Sequence, residues 1–263
     1  MCSSDLCRFR NMNSSPVICH TGFREKRVVA PKLTELTFER PSDWPFEAGQ
    51  FARLGLAVDG HPVMRAYSIA SAPNEDVLRF LVTEVPEGSL SPRLHELEPG
   101  AEVLLEGNAE GNLRPARVAG GKTLWLLATG SGLAPFLSIV HDPATWQTWE
   151  DVVIVESVRT LEEAAPAREL MEETFPGELT VVVATTREEE EERRGDLSGR
   201  ITQLLTSGEL EEHVGKRITP EDARVILCGN PEFIEAARAI LKERGLTSPR
   251  FGKPGQLLVE SFW

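Results

Sequence analysis

The stretch TLWLLATGSGLAP, residues 123–135, indicates the fold of the second half of the chain. Its first six residues are all but one apolar, which is typical of a strand buried on both faces of a sheet. Thr129–Pro135 then supplies two glycines and opens a helical pattern over Pro135–Val140, which predicts a strand-to-helix turn. A dinucleotide pyrophosphate binds at such a turn in α/β folds, but a plain tight turn would have the same residues, and the third glycine of the full fingerprint is absent.

The same alternation of apolar runs and helical patterns continues towards the C-terminus. Three more apolar runs predict buried parallel strands, at Val152–Val155, Leu179–Ala184 and Arg224–Cys228. Helical patterns separate or follow them, at Ala165–Thr174, Gly199–Ser207 and Pro231–Arg244, and a last strand is predicted over Gln256–Ser261. Strands that alternate with helices favour a doubly wound parallel α/β sheet over residues 119–263.

The first half has a different pattern. Short alternating or apolar runs bounded by turn residues predict the strands Lys26–Ala30, Leu33–Phe38, Gln50–Val58, Arg65–Ala70, Val77–Val85 and Ala101–Leu105. Ser91 is predicted to cap a short helix in which Pro92 is the first residue. We expect an antiparallel β-barrel over residues 21–118, and therefore two domains. Residues 1–20 are predicted to be a polar leader, with Met12 as an alternative start.

Composition limits the class of function. The 263 residues include 28 basic and 41 acidic side chains, and the net charge of −13 argues against non-specific binding to nucleic acid or an anionic membrane. The four cysteines lack the spacing of a zinc or iron–sulfur site, so no metal is expected. No apolar run approaches the roughly 20 residues that cross a bilayer, and a signal-peptide core is missing. We therefore expect a cytoplasmic protein with reduced thiols.

The stretch RAYSIAS, residues 65–71, contains the only tyrosine of the chain. The ring of Tyr67 can stack on a flavin, and the hydroxyl of Ser68 can hydrogen-bond the reactive flavin nitrogen. Arg65 lies two residues earlier on the same strand face and can pair with a pyrophosphate. The alternative interpretation is an ordinary strand with an exposed arginine.

Two shorter motifs lie at predicted ligand-binding positions. Gly88–Ser91 leads into the short helix, whose N-terminus offers free N–H groups to a phosphate, although a plain turn would have the same residues. Cys228–Pro231 ends the last internal strand, at the sheet edge where α/β folds bind ligands. A cysteine at that position is alternatively just a small buried apolar residue.

Together these motifs, with Phe46–Phe51 and the aromatic C-terminus, resemble the plant-type ferredoxin–NADP reductase family from about Gly22 to Trp263. The likeness is strongest to its short bacterial members, the flavodoxin/ferredoxin–NADP reductases. It implies a Greek-key FAD-binding barrel followed by an NADP(H)-binding domain. It also implies hydride transfer between NADPH and FAD, and single-electron exchange between FAD and a ferredoxin or flavodoxin.

The resemblance also implies which residues form the sites. The residues expected at FAD are Arg65, Ala66, Tyr67, Ser68, Leu81, Val82, Thr83, Glu84, Ser89, Leu90, Ser91, Ser131 and the terminal Trp263. The residues expected at NADP are Thr129, Gly130, Arg159, Arg187, Arg200, Gly229, Asn230 and Pro231, with the three arginines at the 2′-phosphate. Ser68 would act at the flavin nitrogen, Cys228 would line the nicotinamide pocket, and Glu260 would relay a proton or contact the nicotinamide. The C-terminal tail is expected to gate turnover.

Acidic residues near the expected phosphate site depart from the family pattern. Glu156 stands where the family often has histidine, and Glu188–Glu192 follows Arg187 directly. Two other functions stay open: a stand-alone NAD(P)H-dependent flavin or oxygenase-component reductase, since the cysteine count excludes only members with a built-in iron–sulfur domain, and a non-catalytic FAD-binding redox sensor. Because ferredoxins and flavodoxins are acidic, the docking face should be basic, with the candidates Arg24, Lys26, Arg27, Arg93, Arg114 and Arg117. The chain is expected to act as a monomer.

Overall fold

The first half of the chain folds into an antiparallel sheet in the computed structural model, which describes residues 18–118, 120–188, 195–250 and 253–261. The strands are β1 (Ile18–Ala30), β2 (Leu33–Glu39), β3 (Phe51–Val58), β4 (His61–Ser68), β5 (Val77–Thr83) and β6 (Glu102–Glu106), with the short helix α1 (Ser91–His95) before β6. They are ordered β4-β3-β6-β1-β2-β5. An antiparallel bridge between Ile69 and Phe80 joins the two edges, so the sheet closes on itself.

The second half forms a parallel sheet. Its strands are β7 (Thr123–Thr129), β8 (Asp151–Val158), β9 (Glu178–Thr185), β10 (Leu197–Ser198), β11 (Ala223–Gly229) and β12 (Leu257–Ser261). The helices are α2 (Ala134–His141), α3 (Pro143–Thr148), α4 (Ala165–Glu169), α5 (Ile201–Ser207), α6 (Glu209–Val214) and α7 (Pro231–Glu243). The strand order β10-β9-β8-β7-β11-β12 reverses direction at β7. Such a switch point opens a ligand-binding crevice at the carboxyl ends of the strands.

The two domains share an apolar core. The barrel has its own cluster around Phe23, Phe38 and Phe80, and one face of the parallel sheet has another. A third cluster crosses the boundary, because it contains Leu33 and Leu81 of the barrel together with residues that follow β7, such as Leu133. Burial of this shared surface stabilises the domains against each other by the hydrophobic effect.

The predicted two-domain architecture is confirmed, with corrections at element ends. β1 begins at Ile18, so the last three residues assigned to the leader belong to the barrel, and Cys19 is buried there. Residues 1–17 lie outside the described part of the chain. Ser91 is the first residue of α1 rather than its cap, and its hydroxyl accepts a hydrogen bond from the Val85 N–H at 3.1 Å.

The second domain also differs in detail from the prediction. The helix predicted over Ala165–Thr174 ends at Glu169 and continues only as the 3₁₀ turn Leu170–Glu172. The sequence patterns did not reveal α3, α6 or the two-residue strand β10. Across the described ranges, no helix combines the length and the apolar character needed to span a membrane.

Candidate functional site

A cavity of about 950 Å³ lies between the barrel and the carboxyl edge of the parallel sheet. The barrel lines it with the β1–β2 hairpin turn and the end of β5, through Ala30, Pro31, Lys32, Leu33, Thr83 and Val85. The α/β domain lines it with the ends of β7 and β8, the segments that follow the five strands β7 to β11, and the starts of α5 and α7, through Thr129, Gly130, Ser131, Ser157, Val158, Arg159, Glu163, Thr186, Arg200, Ile201, Thr202, Asn230, Pro231, Glu232, Phe233 and Ala236. This is the switch-point crevice, and its volume suits a dinucleotide.

Two glycines shape the turn after β7 for different reasons. Gly130 adopts φ +53, a left-handed conformation that glycine adopts without steric cost. Gly132 has an ordinary φ, but a Cβ there would lie 2.3 Å from the backbone oxygen of Cys228. The 3₁₀ turn Gly130–Leu133 therefore packs directly on the backbone of β11. This close packing sets where the free N–H groups at the start of the turn and of α2 point.

The loop after β11 is tied to the loop after β7. The Thr129 hydroxyl accepts hydrogen bonds from the Asn230 backbone N–H at 3.2 Å and from its side-chain amide at 3.3 Å. Asn230 also caps α7, since its side-chain oxygen accepts from the Phe233 N–H at 2.9 Å. The sequence placed Thr129, Gly130, Gly229, Asn230 and Pro231 in one site, and the structure brings these two loops together on one sheet edge.

The three arginines predicted for a 2′-phosphate lie at this same edge, but only two line the cavity. Arg159 follows β8 and Arg200 occupies the N-cap position of α5. Arg187 follows β9, is exposed, and donates its backbone N–H to the Arg159 carbonyl at 2.9 Å. Arg159 is also held by Glu163, whose carboxylate lies 2.6 Å from the guanidinium and accepts the Arg159 backbone N–H at 3.0 Å.

Glu156 is a buried strand residue and not part of an exposed loop beside the arginines. β8 extends to Val158, so Glu156 lies within the strand and only 1% of it is exposed. Burial, assisted by the neighbouring Glu163, raises the pKa of the Glu156 carboxyl well above its ordinary value. Burial therefore favours the neutral form of this carboxyl over the charged form. Of the acidic run Glu188–Glu192, only Glu188 is described, and its carboxylate accepts the Leu161 N–H at 2.9 Å.

On the barrel side, the residues around Tyr67 fit a flavin. Tyr67 is half-buried, and burial raises the pKa of its phenol to about 12 against an opposing effect of Arg65, so the ring is uncharged. Ser68 is buried, yet its hydroxyl has no hydrogen-bond partner among the described residues. An unsatisfied buried hydroxyl costs about 1–3 kcal/mol, which a hydrogen bond to a bound flavin would recover.

Two guanidinium groups meet at Ser89, just before α1. Arg65 donates to the Ser89 hydroxyl at 3.3 Å, and Arg93 donates to the Ser89 carbonyl at 2.6 Å. This arrangement supplies two cations where a pyrophosphate is expected. The other residues predicted at FAD differ in exposure: Leu81, Val82, Leu90 and Ser91 are buried, Glu84 and Ser131 are partly exposed, and Ala66 and Thr83 are exposed.

Cys228 and Glu260 are neighbours across the β11–β12 pair. The Cys228 thiol is fully buried in the shared apolar cluster, where burial and then Glu260 raise its pKa well above the ordinary value. Glu260 is partly buried, which raises the pKa of its carboxyl to about 7, although a hydrogen bond from the Asn112 backbone opposes that shift. Asn112 follows β6, so Glu260 connects the C-terminal strand to the barrel. Trp263 lies outside the described residues.

Sequence reasoning missed Lys32, Glu163 and Asn112. Glu163 had one available signal, its position four residues after Arg159, which is the spacing of helical ion pairs. Lys32 and Asn112 reach the interdomain region only through the packing of the two domains. No local sequence pattern predicts such a contact.

Comparison with known proteins adds an independent line of evidence. Residues 22–113 match the family model for an oxidoreductase FAD-binding domain, and residues 126–239 match that for an oxidoreductase NAD-binding domain. The chain is 39% identical over 221 residues to a ferredoxin–NADP reductase of Pseudomonas aeruginosa, covering 82% of this chain and 86% of the relative. It is 37% identical over 234 residues to a flavodoxin/ferredoxin–NADP reductase of Escherichia coli, covering 88% and 93% respectively.

A solved structure is also similar. The ferredoxin NADP+ reductase of Neisseria gonorrhoeae, solved with bound FAD and NADP, superposes with a TM-score of 0.87. The two chains are 33% identical, and the match covers 93% of this chain and 98% of that one. Both domains and their arrangement are therefore shared.

Proposed function

This chain belongs to the ferredoxin–NADP reductase family, and we infer that it transfers hydride between NADPH and FAD and single electrons between FAD and a ferredoxin or flavodoxin. The observation that carries this function is the cavity shared by the two domains. Its walls combine the glycine turn after β7 with the end of β5, which the family resemblance assigns to FAD. A nucleotide seated on the parallel sheet therefore lies against the flavin-binding barrel.

The barrel residues bind and orient the flavin. When bound, FAD accepts electrons in pairs and returns them singly, which links NADPH to a one-electron carrier. The unpartnered hydroxyl of Ser68 supports a hydrogen bond to the reactive flavin nitrogen. The uncharged ring of Tyr67 supports stacking, and Arg65 and Arg93 at Ser89 support binding of the pyrophosphate.

The α/β domain positions the nicotinamide nucleotide. The turn at Gly130 would receive the pyrophosphate through backbone N–H groups, and Arg159 and Arg200 would hold the 2′-phosphate. Arg187 remains a proposed phosphate ligand that has to turn towards the cavity. The role of Cys228 at the nicotinamide rests on its place at the end of β11, because its thiol is enclosed.

Glu260 is suited to proton transfer at neutral pH. A carboxyl group with a pKa of about 7 is protonated in about half of the molecules under working conditions, so it can both accept and release a proton. Its position at the junction of the C-terminal strand and the barrel supports the proposed relay role. Gating by Trp263 is proposed from the family resemblance alone.

An acidic electron carrier would dock on a smaller basic surface than the sequence indicated. Three of the six candidates form ion pairs within the chain: Lys26 with Glu98, Arg27 with Glu35 and Glu169, and Arg114 with Glu47. Arg24, Arg93 and Arg117 have no carboxylate within 4.0 Å in the described ranges. Because Arg93 is assigned to the flavin pyrophosphate, charge reversal at Arg24 or Arg117 is the cleaner test, and it should raise the apparent KM for the carrier at low salt.

Anaerobic titration with NADPH, followed by addition of candidate acceptors, tests the function. We expect rapid bleaching of the flavin spectrum by NADPH and reoxidation by a ferredoxin or flavodoxin. Failure of NADPH to bleach the flavin would instead favour a non-catalytic redox sensor.

The ion pair between Arg159 and Glu163 makes an NADH-dependent flavin or oxygenase-component reductase the second candidate, because it reduces the positive charge available to a 2′-phosphate. That enzyme would show a higher kcat/KM with NADH and would reduce free flavin or an oxygenase. A monomeric state and a cytoplasmic location remain predictions, which sedimentation and cell fractionation test.

A further inference from the structure

Lys32 is the one cation that the barrel contributes to the cavity wall, within the described part of the chain. We propose that Lys32 binds a phosphate group of the nicotinamide nucleotide from the barrel side. The inference rests on the proposed function, because it assumes that a dinucleotide occupies the cavity. It adds a nucleotide contact from the domain that the family resemblance assigns to FAD.

The hairpin that carries Lys32 is held firmly against the second domain. The Glu84 N–H donates to the Lys32 carbonyl at 2.8 Å, which pins the turn to the end of β5. Leu33 is buried in the apolar cluster that both domains share. At the base of the hairpin, the Arg27 guanidinium forms two hydrogen bonds with Glu169 at the end of α4, at 2.6 and 3.0 Å. The Lys32 position is therefore fixed relative to the nucleotide turn.

The backbone at Lys32 is in an uncommon conformation. Its φ is +62, a left-handed conformation that is sterically unfavourable for a residue with a Cβ. Glycine or asparagine would occupy this turn position at lower cost. Local strain of this kind concentrates at functional sites, and here it accompanies a charged side chain at a cavity wall.

The charges on the wall leave Lys32 available to an anion. Arg159 already forms an ion pair with Glu163. In residues 18–118, 120–188, 195–250 and 253–261, neither Lys32 nor Arg200 has a carboxylate within 4.0 Å. A dinucleotide brings two pyrophosphate charges, and NADP adds a 2′-phosphate. The long lysine side chain is a mobile point charge suited to such a group.

Isothermal titration of the FAD-loaded protein with NADP+, NAD+ and 2′-phospho-AMP tests the proposal. Lys32→Gln should raise the Kd for NADP+ about tenfold at low salt, as expected for loss of one charge-assisted hydrogen bond, and by less at high salt. Lys32→Arg should retain most of the affinity. Lys122→Gln is the matched control, since Lys122 pairs with Asp222 outside the cavity and loses the same charge.

The pattern over the three ligands identifies the phosphate. A loss shared by NADP+ and NAD+ supports a pyrophosphate contact, whereas a loss confined to NADP+ and 2′-phospho-AMP supports a 2′-phosphate contact. Lys32→Gly separates binding from folding, because it relieves the left-handed strain and should keep or raise Tm while it still weakens binding. Wild-type affinity in Lys32→Gln overturns the Lys32 assignment alone. Absence of nucleotide binding by the unmodified protein overturns the proposed function as well.

Discussion

Gly132→Ala should damage both the stability and the nucleotide site of this protein. The added Cβ would lie 2.3 Å from the Cys228 backbone oxygen, 2.7 Å from its carbonyl carbon and 3.1 Å from the Gly229 Cα. An ordinary contact of this kind begins near 3.4 Å, so the turn and β11 must separate by about 1 Å. The obstructing atoms are backbone, which cannot rotate away as a side chain can.

The size of the effect follows from what must move. β11 is paired on both sides, with β7 and with β12, so it resists displacement and the turn has to lift instead. Overpacking of a rigid interior site costs about 1–3 kcal/mol, and a clash with the backbone of a strand that is paired on both sides belongs at the upper end, near 3 kcal/mol. Lifting the turn by about 1 Å also moves its N–H groups, so the Kd for NADP+ should rise at least tenfold.

Gly130→Ala is the matched control in the same turn. A Cβ at Gly130 meets nothing within 4 Å, so alanine there costs only the left-handed backbone penalty of about 1–2 kcal/mol. Urea denaturation and calorimetric titration with NADP+ should therefore both rank Gly132→Ala as the more damaging change. If Gly132→Ala proved at least as stable as Gly130→Ala and bound NADP+ like the unmodified protein, the close-packing argument would be wrong.

Three further changes test the charged and aromatic groups of the site. The pKa of Glu260 is raised to about 7 in the folded protein, so its carboxyl contributes fully to the free energy of unfolding below about pH 4.5, and this contribution is lost as the pH rises to about 7. Relative to Glu260→Gln, the free energy of unfolding should therefore fall by up to about 3 kcal/mol over that range. Urea-denaturation midpoints that change in parallel with pH in the two proteins would contradict this. Glu163→Gln frees the Arg159 guanidinium and should raise the NADPH-to-NADH ratio of kcat/KM about threefold, whereas Glu162→Gln, at an exposed neighbouring position, should leave that ratio unchanged. Equal ratios in the two variants would show that the ion pair does not determine cofactor specificity. Tyr67→Ala should purify with less than about half of its flavin, because the stacking surface is lost, while Tyr67→Phe should keep it; a fully yellow alanine variant would exclude the stacking role.

Local patterns predicted most of the fold because the strands carry strong signals. The apolar run at the start of residues 123–135 is long, unbroken and followed by glycines, and β7 forms there. The helices α3 and α6 have six residues each, too few to display a helical period, and sequence analysis missed them. The strand predicted over Lys26–Ala30 begins at Ile18 in the structure, and residues 18–25 were missed because their mixed polar and apolar side chains show no clear strand pattern.

The same distinction between local and long-range features applies to the functional site. Motifs that are contiguous in sequence, such as the turn around Gly130, were predicted and lie at the cavity. Features that depend on how the domains pack were not predictable. The burial of Glu156 and the approach of Lys32 to the nucleotide turn both depend on distant segments. Charge counting along the sequence could not show that Glu156 is buried or that Lys26, Arg27 and Arg114 form ion pairs within the chain.

The apolar cluster shared by barrel and parallel sheet also limits how the protein can be recombined. A chimera that exchanges nucleotide domains at the junction near residue 120 would divide this cluster, with Leu33 and Leu81 in one parent protein and Leu133 in the other. The foreign domain would have to reproduce that packing, as well as a partner for Arg27 in place of Glu169. Exchange of cofactor preference by domain grafting should therefore succeed only when the β1–β2 hairpin is transferred together with the domain that it contacts.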